Sequence, residues 1–187
     1  MAIVPDTKDW TWVLDRRCEE CGFDASTLPA GEVARLIDEN VAVWRPLLTG
    51  PDGAMVARRP ASDRWSALEY ACHVRDVLRL YDERLALMLA EHDPAFPNWD
   101  QDAAAVDERY AEQDPATVAG DIEEAGARLA AHFAGVQGDA WARTGTRSDG
   151  AHFTIDTFGR YLVHDPIHHV HDVEQGYARL GVDRPPA

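Results

Sequence analysis

The sequence predicts an all-α protein, a four-helix bundle with one long cross-connection. Four segments carry apolar residues at three- and four-residue spacings, and the strand-like alternation of apolar and polar residues is nearly absent. A chain of 187 residues with 45% hydrophobic residues suits a single domain with a proper core. We therefore expect one domain over residues 1–187, with a short N-terminal extension at 1–28.

The first two bundle helices are predicted at residues 29–48 and at about 66–91. The apolar stripe of the first helix consists of Val33, Leu36, Ile37, Val41, Trp44 and Leu48. The second helix has a stronger start signal, because Ser66 and Glu69 have the spacing of a capping box. Its apolar residues then continue to about residue 91.

The other two helices follow a long connection. Residues 92–113 are rich in proline and acidic residues at first and predict the cross-connection. Asp114 is a predicted N-cap that starts the third helix. A loop at 139–153 leads to Thr154, which we expect to cap a fourth helix through about residue 177.

The charge of the chain excludes two classes of partner. The chain has 33 acidic and 18 basic side chains, for a formal net charge of -15. Nucleic acids and anionic lipid surfaces are bound through clustered lysine and arginine, and the sequence has no such block. No apolar stretch has the length of a membrane-spanning helix. We expect a cytoplasmic protein.

The histidines are the unusual feature, since four of the eight lie between residues 164 and 171. With an advance of about 100° per residue, His169 falls on the buried face of the fourth helix and Asp165 at its edge. These two residues are four apart, so both can reach one ion. His73 lies near the apolar stripe of the second helix. Three ligands from two helices leave an open coordination position, so the sequence predicts a catalytic divalent metal site.

A competing assignment uses other residues of the same helix. His164 and His168 have the same spacing, and two histidines are the better ligands for zinc or nickel. The helical wheel places both of them, with His171, towards solvent or at the margin of a neighbouring helix. Pro166 can kink or rephase the helix. Asp165 can alternatively cap a new helix that starts at Pro166.

The cysteines leave several interpretations open. Cys18 and Cys21 form half of a zinc-ribbon knuckle, but a closed zinc site needs four ligands and the chain has no second cysteine pair. They can bind metal with borrowed His or Asp ligands, act as a redox or disulfide pair, or pack in the interior. Cys72 points away from His73, and we expect it to be a buried thiol of the core.

These helices resemble the DinB/YfiT-like superfamily of small metal-binding four-helix bundles. Its second-helix signature is a Trp, a ligand His eight residues later and an Asp three further on, which is matched by Trp65, His73 and Asp76. Its last-helix signature is a ligand, a ligand His four later and an aliphatic residue four beyond, which is matched by Asp165, His169 and Val173. In that register His168 is the first residue of a His-His pair. The departure is Asp165, where the family mostly has His, or Glu in the mycothiol-dependent maleylpyruvate isomerase branch.

The resemblance implies a metal, zinc or nickel, that activates a thiol or water. Related reactions consume low-molecular-weight thiols such as bacillithiol or mycothiol, so the implied activity is a thiol-dependent S-transferase or a hydrolase acting on a small molecule. Asp76 is our candidate for a carboxylate that orients His73 or relays a proton, unless it pairs with Arg75 or Arg79. The alternative is a non-enzymatic bundle that binds metal or a small molecule. We also consider a homodimer.

Residues around the metal are expected to come from loops. The connections 92–113 and 139–153 are predicted to line the pocket, and Trp99 and Trp141 either line its mouth or cap the core. Three arginines are candidates for binding a substrate carboxylate or for salt pairing: Arg143, Arg147 and Arg160.

Overall fold

A computed structural model describes residues 9–183, and the first eight and last four residues of the predicted domain lie outside the described residues. The helices are α1 Val33–Thr49, α2 Gly53–Val56, α3 Ala67–Ala90, α4 Gln101–Asp107, α5 Pro115–Ala134 and α6 Ile155–Leu180. The four long ones, α1, α3, α5 and α6, form the bundle, which confirms the predicted fold class. In the described part of the chain, no helix is both long enough and apolar enough to cross a membrane.

The order of the helices around the bundle places α3 beside α6. Helices α1 and α3 both pack against α5 and against α6, so α1 lies diagonally opposite α3, and α5 opposite α6. The space between the helices is filled by large, fully buried side chains, among them Trp44, Phe133, Phe158, Leu78, Leu85 and Leu129. Residues on the facing sides of α3 and α6 can therefore meet.

The ends of the helices confirm the capping signals. The Ser66 hydroxyl accepts a hydrogen bond from the Glu69 backbone at 3.2 Å, and the Glu69 carboxylate accepts one from the Ser66 backbone at 2.9 Å. Asp114 caps α5 and Thr154 caps α6. Helix α6 continues through Pro166, so Asp165 lies inside the helix and the idea that it caps a new helix is wrong.

A small sheet that the sequence did not predict joins the two long loops. Its strands are β1 Ala95–Phe96, β2 Thr144–Arg147 and β3 His152–Thr154. Strand β1 pairs in parallel with β2, and β2 pairs antiparallel with β3. Strands of two to four residues are too short to show an alternating pattern, which is why they were missed. The sheet ties the cross-connection to the segment before α6.

The described part of the N-terminal extension packs along α6. It contains 3-10 turns at Thr11–Leu14 and Ala25–Thr27, both of which contact that helix. Val13 and Cys18 are each only 1% exposed. The extension therefore contributes buried side chains to the protein interior, and it covers a flank of α6 that would otherwise face water.

A close approach between α1 and α5 depends on Gly126. A Cβ built on this residue would lie 2.3 Å from a Val41 methyl carbon. We expect Gly126→Ala to lower the free energy of unfolding by about 1–3 kcal/mol, because overpacking forces the helices apart. Gly120→Ala is the control in the same helix: its Cβ meets only Arg45 at 3.9 Å, so it should stabilise by up to about 1 kcal/mol. Urea unfolding measures both, and equal effects would contradict this packing.

Candidate metal site and its cavity

The structure brings the three predicted ligands together between α3 and α6. His73 lies two turns into α3, and its Nε2 is 3.4 Å from Asp165 Oδ2. One turn further along α6, His169 Nε2 is 3.5 Å from Asp165 Oδ1. One donor atom from each residue lies within 4.8 Å of the donor atoms of the other two. The three side chains thus converge on one point.

The hydrogen bonding of these groups fits a divalent ion. His73 is 1% exposed, yet neither of its ring nitrogens has a hydrogen-bond partner among the described residues, and neither does Asp165 Oδ2. Leaving such atoms unpaired is costly unless something else satisfies them. Donors bound at about 2.1 Å to a tetrahedral ion lie roughly 3.4 Å apart, close to the 3.4 and 3.5 Å that separate the two histidine Nε2 atoms from the two oxygens of Asp165. The site therefore suits an ion better than it suits a hydrogen-bonded network.

The electrostatics of the site favour positive charge. Burial opposes a charge on His169, but the carboxylates of Asp165 and Asp172 outweigh it and raise the pKa of the imidazole to about 10. Burial also opposes a charge on Asp165, but His169 and His73 hold its pKa well below the usual range. Two ionised carboxylates beside buried imidazoles create a place for a cation.

Asp172 is a residue of the candidate site that the sequence reasoning missed. Its Oδ2 lies 3.0 Å from His169 Nδ1, on the side of the ring opposite Asp165. Carboxylates in this position fix the tautomer and orientation of a metal-bound histidine. The signal was available, because Asp172 follows His169 by three residues, the spacing that drew attention to Asp76 after His73.

Asp76 does not orient His73 in this structure. Its carboxylate accepts hydrogen bonds from the Arg75 guanidinium, at 2.8 and 3.1 Å, and from the Tyr110 hydroxyl. Arg75 also donates to Gln113 at 2.6 Å. The pairing with Arg75, which the sequence left open, is the observed one. Asp76 therefore anchors the cross-connection to α3.

Aromatic rings hold the two histidines in place. Trp99 stacks on His73 with ring centroids 5.3 Å apart, and Trp65 approaches the same ring at 5.4 Å. Tyr70 lies 5.0 Å from the His169 ring. Trp99 is therefore part of the site, in agreement with the interpretation that it lines the pocket. Trp141 instead stacks on Phe133 of the core.

The three predicted ligands lie in the wall of a cavity of about 1270 Å³. Both long loops line it, as predicted, through residues 98–102, Arg147 and residues 149–153. The N-terminal extension lines it too, through Trp10, Thr11 and Leu14, which the sequence did not indicate.

Of the three candidate arginines, only Arg147 lines this cavity, where it pairs with Asp149 at 2.8 Å. Arg143 donates to the carbonyl of Met88, in the last turn of α3, at 2.6 Å. Arg160 pairs with Asp156 at 2.6 Å. A binding role for a substrate carboxylate therefore remains open only for Arg147.

The competing histidines form a separate group. His164 and His168 are 4% and 6% exposed, so of the two placements that the helical wheel allowed for them, the one towards solvent is wrong. The wheel treated α6 alone, whereas the N-terminal extension covers this flank. Burial lowers the pKa of His164 to about 4. Both rings face Cys18 and Cys21 and not His73.

Comparisons with known proteins agree with this architecture. YfiT from Bacillus subtilis, described as "a probable metal-dependent hydrolase with an unusual four-helix bundle topology", has a similar fold with a TM-score of 0.63 over 97% of this chain and 95% of that chain. The two sequences are 18% identical, so the likeness bears on the fold alone. No curated protein matches the sequence. The family model of the DinB superfamily matches residues 32–175, which include His73, Asp165 and His169. The chain belongs to the DinB superfamily.

Proposed function

We propose that this protein is a metal-dependent enzyme in which His73, Asp165 and His169 hold zinc or nickel. The observation that carries the proposal is a set of three protein donors in the wall of a large cavity. Structural zinc sites close their coordination with four protein ligands, whereas catalytic sites keep one position for water or substrate. The reaction is then one in which a thiol or water is activated, as in an S-transferase or a hydrolase.

The protein groups around the ion have distinct tasks. A bound divalent ion supplies Lewis acidity, which lowers the pKa of a coordinated water or thiol towards neutrality. Asp172 accepts the Nδ1 proton of His169 and leaves Nε2 free to bind. The stacked Trp99 and the neighbouring Trp65 keep the His73 ring in one orientation and exclude water from it.

The substrate class follows from the walls of the cavity. Its volume is above the roughly 300–1,000 Å³ typical of small-molecule sites, which leaves room for a thiol cofactor together with a second small molecule. Arg147 offers a guanidinium for an anionic group of either one. The description of YfiT as a probable metal-dependent hydrolase supports the hydrolytic form of the reaction. The family resemblance supports the thiol-dependent form.

The open position can be tested with cobalt in place of the natural ion. The visible spectrum of cobalt-loaded protein, with His73→Ala protein as the reference, should change when a small thiol such as cysteine is added. The thiol-bound form should then react with electrophilic small molecules, or the water-bound form should hydrolyse ester or amide substrates. A spectrum that responds to neither thiol nor pH would contradict an open position and favour a non-enzymatic binding role.

A further inference from the structure

A second cluster of metal-binding side chains lies beside the catalytic cavity. It joins Cys18 and Cys21 of the N-terminal extension to His164 and His168 of α6, and the four donor atoms all lie within 4.8 Å of one another. We propose that these four residues bind a structural zinc ion. This site is separate from the one that holds His73, Asp165 and His169.

The distances suit a tetrahedral zinc site. Cys18 Sγ lies 3.7 Å from His168 Nδ1, and Cys21 Sγ lies 3.8 Å from His164 Nε2. Zinc bonds of about 2.3 Å to sulfur and 2.0–2.1 Å to nitrogen place tetrahedral S and N ligands roughly 3.5 Å apart. The observed pairs exceed this by only a few tenths of an ångström. Two cysteines and two histidines complete a closed coordination sphere, which is typical of structural zinc.

The local backbone has the geometry of a zinc knuckle. Cys18 and Cys21 flank a tight turn in which the Gly22 backbone donates to the Cys18 carbonyl and the Cys18 backbone donates to the Phe23 carbonyl, both at 2.9 Å. Gly22 has a φ of +77°, which other residues rarely adopt. The two cysteines and the two histidines, four apart on α6, each have the spacing of zinc-finger ligands. Cys21 and His164 are 143 positions apart, which hides the combination in the sequence.

Surrounding residues complete the site in the way that metal sites require. His168 Nε2, on the side of the ring away from Cys18, lies 3.7 Å from both Glu20 and Asp172. Both carboxylates are beyond hydrogen-bond distance, but their charge favours the tautomer of His168 that carries its proton on Nε2 and leaves Nδ1 for the ion. Trp10 covers the two rings, with centroids 5.6 Å from His164 and 5.1 Å from His168. Asp172 also contacts His169, so one carboxylate supports both metal sites.

The role of the zinc is to fasten the N-terminal extension to the bundle. Between Thr11 and α1 the described chain forms only 3-10 turns of three or four residues, which have little stability of their own. The same segment forms one wall of the catalytic cavity. A zinc ion that bridges the knuckle and α6 would hold this wall in place.

The test is the zinc content of the full-length protein after zinc loading and removal of excess metal. The wild type should hold two ions per chain, His73→Ala one, and His73→Ala combined with Cys18→Ser and Cys21→Ser none. Cys72→Ser, in the His73→Ala protein, is the control and should keep its ion. If the site of His73, Asp165 and His169 binds no zinc, the wild type and the His73→Ala protein each hold one ion, and the variant that also lacks Cys18 and Cys21 holds none. Failures of the two proposals are therefore distinguishable. Zinc that is absent from the His73→Ala protein, or that survives loss of both cysteines, would overturn the proposal.

A second measurement avoids variants that fail to fold. In wild-type protein, Cys18 and Cys21 should resist alkylation until a chelator removes the zinc and releases the N-terminal extension from α6. Cys72 lies inside helix α3 of the bundle and should stay unreactive in both states. Mass spectrometry reads each cysteine separately. Equal alkylation of Cys18 and Cys21 with and without chelator would overturn the proposal. So would a native mass two hydrogens lower, because it would mean that the cysteines form a disulfide.

Discussion

His73→Ala is expected to empty the catalytic metal site and abolish turnover. His73 is the donor that α3 contributes to the proposed site, and without it only two donors remain, both on α6. We expect the ion count to fall by one per chain and the affinity of the site to fall by more than the roughly 10–100-fold that loss of a supporting residue costs. Metal analysis after gel filtration, and activity in the thiol and hydrolysis screens, measure the two effects.

The matched control is His152→Ala. His152 lines the same cavity, but its side chain is 55% exposed and it lies outside the donor set. This variant should keep the full ion count. Circular dichroism must show that both variants remain helical, because His73 is buried between tryptophan rings. A His73→Ala protein that folds and keeps its full metal content would contradict the assignment.

Asp172→Asn is expected to weaken the catalytic site without removing a ligand. The carboxylate accepts the Nδ1 proton of His169, and an amide in its place can present its NH₂ group and favour the wrong tautomer. We expect the metal affinity that depends on His73 to fall about 10–100-fold. Competition with a chromophoric chelator, referenced to the His73→Ala protein, measures the change.

Asp76→Asn tests whether Asp76 orients His73, as the sequence suggested, in the way that Asp172 is proposed to orient His169. Asp76 stands in the same relation to His73 as Asp172 does to His169, but it pairs with Arg75 and Tyr110. Its replacement should lower the stability of the fold by about 1–3 kcal/mol, because it removes the charged acceptor shared by the buried Arg75 guanidinium and the Tyr110 hydroxyl. It should leave the metal affinity unchanged. An equal loss of metal affinity in the two variants would refute the distinction.

The sequence was most informative about features that depend on a single helix. The capping box of Ser66 set the start of α3, and the periodicity of α6 placed Asp165 and His169 together. The wheel could not place His164 and His168, since their burial depends on an extension that folds back from the other end of the chain. Sequence reasoning could not decide between the two roles of Asp76 either. Its carboxylate pairs with the neighbouring Arg75 and also accepts from Tyr110 of the cross-connection, whose position only the tertiary structure determines.

The most direct test of the catalytic metal site is anomalous diffraction at the zinc edge from crystals of the zinc-loaded protein. The predicted result is a peak at about 2.0–2.2 Å from His73 Nε2, His169 Nε2 and an Asp165 carboxylate oxygen, with a non-protein ligand facing the cavity. The absence of a peak between these three residues, or a fourth ligand from the protein itself, would contradict the account.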